Sequence, residues 1–142
     1  MKEKIELNNR SMPTTGVIPV LNYPDVLAAT KWLCAAFGFR ERLIIGTHRV
    51  QLHAGFGAVV LAAGVIGHNS RTTFSVMIRV ADASAHFARA RDHGATIISE
   101  PTDYPYGERQ YSAKDLAGYV WTFSETIADV DPASWGGVLQ ED

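Results

Sequence analysis

The clearest pattern along the chain lies in its second half. There Phe74, Val76, Ile78 and Val80 alternate with Ser75, Met77 and Arg79, and Tyr119, Trp121 and Phe123 alternate with Val120, Thr122 and Ser124. Successive residues of a strand point to opposite faces of a sheet, so each stretch predicts a strand with one apolar face under a helix and one face of mixed polarity. Between them, "ASAHFARARDHG" predicts a helix opened by Asp82 and ended at Gly94, and "ATIISE" and "ERQYSAKD" predict two more strands. The first half repeats this order. "GVIPVLNYPD" reads as a strand closed by a Pro-Asp turn, and Asp25 caps a helix in which Ala29, Trp32, Leu33 and Ala36 recur at helical spacing until Gly38 stops it. "ERLIIGT", "RVQLHA" and "AVVLAA" then read as three short strands.

Each half is therefore a βαβββ module, repeated in topology rather than in residues. The predicted organisation is a flexible segment over residues 1–14 and a single domain over 15–142. Within it, module one spans about 16–64, module two about 72–126 and a C-terminal tail 127–142, with "GVIGHNSR" as the join. The fold class is α+β, with two curved mixed sheets paired around a cleft lined by the mixed-polarity faces.

A length of 142 residues with 46% hydrophobic composition suits one core rather than two. The formal net charge of −2 comes with no Lys/Arg cluster, which argues against nucleic acid as a partner. Cys34 is the only cysteine, so neither an intrachain disulfide nor a multi-cysteine metal site can form. The N-terminal residues lack the apolar stretch of a signal peptide, and no run is long enough to cross a bilayer, so the expected location is the cytoplasm.

Catalytic templates are absent: there is no G-x-S-x-G elbow, no phosphate-binding G-x-x-x-x-G-K-[ST] loop and no G-x-G-x-x-G after a strand. His86 and His93, two helical turns apart with Asp82 and Arg89 on a polar stripe, read as solvated surface. His48 and His53 are five apart and would face opposite sides of one strand, and His68 falls in the join. Of the five, His53 is the one whose strand borders the expected cleft. Glu108 beside Arg109 reads as a solvated pair rather than a general base. Arg79, on the mixed face, calls either for an anionic or planar polar ligand or for a strand-end pair with Asp82. Tyr104, Tyr106 and Trp135 either rim the cleft or pack locally.

The motifs "PVLNYPD" and "WLCAAFGF" in module one, and "PYGERQYSAKDLAGYVWTF" in module two, resemble the vicinal oxygen chelate superfamily from about Gly16 to Ser124, in its glyoxalase/bleomycin-resistance branch. The resemblance implies the paired βαβββ fold and a homodimer with clefts at or near the subunit interface. It also implies, in the metal enzymes, a divalent ion held by His and Glu from the first and last strands of each module. Seven residues before Asp25 and Asp82 stand Ile18 and Ser75, and four after Gly57 and Gly118 stand Leu61 and Thr122. None is a carboxylate or an imidazole, so no metal and no cofactor is expected, and no catalytic residue is assigned. The expected ligand-binding set is Ile18, Val20, Asn22, Leu61, Ser75, Met77, Arg79, Gln110, Ser112 and Thr122, a mostly neutral mixture suited to a small molecule. The expected function is metal-free binding, sequestering a drug or metabolite. A glyoxalase-like lyase or isomerase is the alternative, and a scaffold or sensor domain a second one.

Overall fold

Both helices start by the same local device. In the computed structural model, which describes residues 7–67 and 73–140, the Asp25 carboxylate accepts from the Ala28 amide and the Asp82 carboxylate from the Ala85 amide, each at 3.0 Å. These side chains satisfy amides that the first helical turn leaves unpaired. Helix α1 (Val26–Phe37) stops at Gly38, which adopts a left-handed φ of 72° and returns its amide to the Cys34 carbonyl. Helix α2 (Ala83–Asp92) is capped by His93, one residue before the expected Gly94. His68 and the second half of the join lie outside the described residues.

Strands β1 (Val20–Tyr23), β2 (Arg40–Ile45), β3 (Arg49–Ala54) and β4 (Gly57–Ala63) form one sheet in the order β1-β4-β3-β2. Strands β5 (Ser75–Arg79), β6 (Thr96–Tyr104), β7 (Glu108–Lys114) and β8 (Val120–Thr126) form a second in the same order, β5-β8-β7-β6. In each sheet the first strand runs parallel to the last, and the remaining pairs are antiparallel. The paired βαβββ architecture is thus present in full.

The modules meet through their helix sides. Phe37 and Phe39, leaving α1, pack on Trp121 and Phe123 of β8, with Phe37 and Phe123 ring centroids 4.8 Å apart. Leu21, Leu33, Leu52 and Leu61 of module one and Tyr111, Ala113, Trp121 and Phe123 of module two belong to one buried cluster. Because the apolar faces turn inward against each other, both mixed faces turn outward, and within one chain they do not close on one another. Trp121 is fully buried as its strand pattern predicts, whereas Trp32 is only half-buried, edge-on to Phe37.

Polar clamps brace the junction. Asp115, in the β7–β8 turn, accepts from Tyr23 Oη at 2.6 Å, from Trp121 Nε1 at 3.1 Å, and from the Ala117 and Tyr119 amides. Arg89 donates to the Ala35 and Cys34 carbonyls at the end of α1. His86, expected on the surface, is instead inserted between the modules. Its Nε2 lies 2.8 Å from the Phe37 carbonyl, its Nδ1 faces the Tyr111 hydroxyl, and its ring lies 4.1 Å from that of Phe123. A carbonyl can only accept, so Nε2 carries the proton and Nδ1 accepts from Tyr111. His86 and Arg89 of the α2 stripe reach the other module while Asp82 and His93 stay exposed, a division that periodicity within one helix cannot register.

Candidate functional site

Cross-strand register decides which side chains share the outward face of module two. Met77 pairs with Thr122, Arg79 with Ser124, Ser112 with Thr122 and Gln110 with Ser124, so all of these point the same way, away from α2. Ser75 shares that face through its pairing with Val120. A cavity of about 610 Å³ opens on it, lined by Met77, Arg79, Gln110 and Ser124 together with Tyr106, Glu108 and Trp135. Ser112 and Thr122 lie farther along the same face and hydrogen-bond to each other at 2.7 Å.

The rim is aromatic. Tyr104 and Tyr106 stack with centroids 5.4 Å apart and planes 8° from parallel, and Trp135 meets Tyr106 edge-on at 5.5 Å. Gly107 makes this possible. Its φ is 83°, a β-carbon there would strike the Ala128 carbonyl, and its own carbonyl accepts from the Ile127 amide. That contact turns the tail back across β7, toward the short 3-10 turn Pro132–Trp135 that carries the indole.

The floor is a chain of polar groups converging on one carboxylate. Tyr106 Oη donates to Gln110 Oε1 at 3.1 Å, Gln110 Nε2 to Ser124 Oγ at 3.0 Å, and Ser124 Oγ to Glu108 Oε1 at 2.6 Å. Arg79 donates from Nη1 to the Thr126 hydroxyl and lies 3.8 Å from Glu108. Its partner is therefore Glu108 and not Asp82, whose carboxylate is engaged at the helix cap. Arg109 turns to Asp103 at 2.6 Å, so the expected Glu108–Arg109 pair does not form. Partial burial pushes the Glu108 carboxyl up, but the Ser124 and Thr126 hydroxyls and the Arg79 charge together outweigh it and hold the group below the usual carboxylate range. A carboxylate so stabilised is a poor proton acceptor near neutral pH.

Module one presents a different face. Val20 and Asn22 point outward from β1, and Ile18 precedes that strand, half-exposed. Leu61 does not join them: it pairs with Leu21 and Val50 and is buried in the core. The outward residue is Val60, which pairs with Val20 as Thr122 pairs with Met77. Counting from glycines fails here because Gly57 is already the first residue of β4, whereas Gly118 precedes β8, and a slip of one residue reverses the face. His53 shares the outward face through its pairing with Ala58, half-buried.

Most of the β3–β4 part of this face is covered by the chain's own N-terminal residues. A bulge between Glu41 and Leu43 leaves Arg42 out of register. Its guanidinium donates to Gln51 Oε1 at 2.6 Å and to the carbonyls of Arg10 and Met12, while Gln51 Nε2 donates to the Ser11 carbonyl at 2.9 Å. Residues 10–12, expected to be loose, are held against the sheet.

The family's metal places thus hold Ser75 and Thr122 in module two and Ile18 and Val60 in module one. Two neutral hydroxyls, one already bonded to Ser112, and two aliphatic side chains do not fit a divalent ion. Among the described residues no three His, Cys, Asp or Glu side chains converge. Cavities of about 490 and 600 Å³ also indent the junction between the modules, but their inner polar groups, His86 in one and Tyr23 and Asp115 in the other, are engaged in joining the two halves.

With this geometry in place, the comparisons are specific. Residues 17–123 match the family model described as Glyoxalase/Bleomycin resistance protein/Dioxygenase superfamily, and the chain belongs to that family. Among solved structures it is similar to TioX from Micromonospora sp. ML1, with 30% identity over 82% of this chain and 100% of that one and a TM-score of 0.67. A glyoxalase/bleomycin resistance protein/dioxygenase family enzyme from Burkholderia phytofirmans PsJN shares the fold at 18% identity, covering 77% of this chain and 96% of its own, with a TM-score of 0.64. So does a glyoxalase/bleomycin resistance protein/dioxygenase from Nocardioides, at 17% identity, 91% coverage of each chain and a TM-score of 0.62. No curated protein matches. No helix among the described residues is long and apolar enough to cross a membrane.

Proposed function

We propose that this chain is a metal-free, cytoplasmic small-molecule-binding protein that works as a homodimer and sequesters its ligand rather than converting it. The observation that carries this reading is the cavity on the outward face of module two. It combines an aromatic rim, the Met77 thioether and a few oriented polar groups, the composition of a binding pocket, and it opens on the same sheet face as Ser75 and Thr122, the hydroxyls in the family's metal places. The family's description covers both catalysts and resistance proteins. The donor set and the stabilised Glu108 carboxylate favour the second. Dimerisation is supported by the outward direction of both mixed faces, since a second copy is what would enclose a ligand there. The expected ligand contacts are Met77, Arg79, Gln110, Ser112 and Thr122, with Ser75 at the margin and Ile18, Val20 and Asn22 supplied from module one.

The test is a thermal-shift screen of drugs and metabolites on untagged protein purified without chelator, run with and without divalent ions, alongside elemental analysis and sedimentation. Stabilisation by a compound regardless of added metal, in a dimeric protein, is the expected result. Near-stoichiometric nickel, zinc, iron or manganese would sink the metal-free reading.

A further inference from the structure

Among the described residues, Arg79 and Glu108 are the one cation and the one anion lining the module-two cavity, and they face each other. We propose that this pair makes the pocket selective for flat, uncharged ligands whose edge carries a hydrogen-bond acceptor beside a donor. The inference deepens the proposed binding function and rests on it.

A lone guanidinium in a cleft would favour an anion. Here the carboxylate 3.8 Å from Arg79 Nη1 opposes that: an anion drawn to Arg79 is repelled by Glu108, and a cation drawn to Glu108 is repelled by Arg79. Neither group can leave the other easily. Ser124, itself held by Gln110, anchors Glu108 from the floor, and Thr126 holds Arg79 at the strand end. Glu108 is only 17% exposed, so its charge acts on a ligand with less solvent screening than that of Arg79, at 60%. A neutral edge escapes the conflict, since a carbonyl can accept from the remaining guanidinium N–H groups while an adjacent N–H or O–H donates to the carboxylate.

Flatness follows from the walls. Tyr106 and Trp135 meet edge-on at 5.5 Å, and Tyr104 backs Tyr106 in a parallel stack, so the rim offers aromatic surfaces for a planar ligand rather than a pouch for a branched one. A volume of about 610 Å³ accommodates two or three fused rings. A lactam fused to an aromatic ring is the simplest chemistry that meets every requirement.

Calorimetry on the full chain at fixed ionic strength, using three probes on one bicyclic frame, tests this: 2-quinolone (neutral, with N–H beside C=O), quinoline-2-carboxylate and 1-methylquinolinium. The native protein should bind 2-quinolone at least tenfold more tightly than either charged probe. Glu108→Gln should raise affinity for quinoline-2-carboxylate at least tenfold, and Arg79→Gln, a change at an exposed side chain, should do the same for 1-methylquinolinium. Both variants should weaken 2-quinolone binding severalfold. Tightest binding of quinoline-2-carboxylate by the native protein, or an unchanged ranking in both variants, overturns the charge-neutral selection while leaving small-molecule binding intact. Failure of all three probes overturns the selection for flat neutral ligands, while the thermal-shift screen decides separately whether any small molecule binds.

Discussion

In module one Gln51 and Val60 are each 3% exposed although no helix lies on their side of the sheet, whereas at the matching positions of module two Ser112 and Thr122 remain half-exposed and Met77 stands 59% exposed beside them. Strand order is the same in both sheets. The difference comes from two local features. A bulge at Arg42 aims a guanidinium over the first sheet, and a stretch of N-terminal chain supplies carbonyls for it to hold. In module two no stretch among the described residues makes the equivalent contacts, and the tail is turned to the margin by Gly107, where it furnishes an aromatic rim instead. A duplicated fold thus has one face closed by its own N-terminal residues and one more exposed, with the same strand order in both.

The comparison is most severely tested on the side the two modules share. Trp121 is fully buried and packs on Phe37 and Phe39 across the junction, so Trp121→Ala should cost about 3–5 kcal/mol in urea unfolding. Trp32→Ala, at a half-buried site, should cost clearly less. Equal losses would mean that the two rings contribute alike and that the junction is not where the core is deepest.

Asp115→Ala should follow, at about 2–4 kcal/mol, because it strands the buried donors Tyr23 Oη and Trp121 Nε1. If the clamp joins the modules, Tyr23→Phe should recover little further loss when combined with Asp115→Ala. Full additivity in the double variant would show that the two side chains are not coupled.

The third effect depends on pH. Burial lowers the pKa of His86, against the Phe37 carbonyl, which favours the charged ring. The folded protein therefore binds fewer protons than the unfolded chain between the lowered value and the ordinary one of about 6.5. Stability should be complete above about pH 6.5 and decline below it, by at most about 1.4 kcal/mol per pH unit, until the lowered value is passed. Carboxylates such as Glu108, also lowered, act near pH 4 and below, a separate window. Urea unfolding from about pH 8 to pH 5 should show a slope in native protein that His86→Gln removes. The same slope in both would place the titration elsewhere.

The smallest effect concerns the cover itself. Arg42→Ala should cost about 1 kcal/mol, since its bonds to the Arg10 and Met12 carbonyls are at the surface and only that to Gln51 is partly buried. Amide exchange at Ser11 and Met12 should nevertheless quicken severalfold while exchange in β8 stays unchanged. No difference at those two amides would show that the N-terminal stretch is held by something other than Arg42.

Much of this protein is legible in its residues because the relevant forces are local. Asp25 and Asp82 cap helices three residues on, glycines end or turn elements, and strict alternation in β5 and β8 assigns Met77, Arg79 and Thr122 to one face and Val76, Trp121 and Phe123 to the other. Those features require only the chain's own geometry. What tertiary structure decided lies where a side chain's partner is remote in sequence. Leu61 and Val60 exchange roles because register with β1 and β3, not distance from a glycine, sets the face. His86 is drawn in from the surface because the other module brings the Phe37 carbonyl, 49 residues away, to its ring. Arg79 finds Glu108 rather than Asp82 because β7 and β8 carry that carboxylate across the sheet to it. Pairings of this kind are long-range choices among several chemically acceptable partners, and only the folded chain brings one of them within reach.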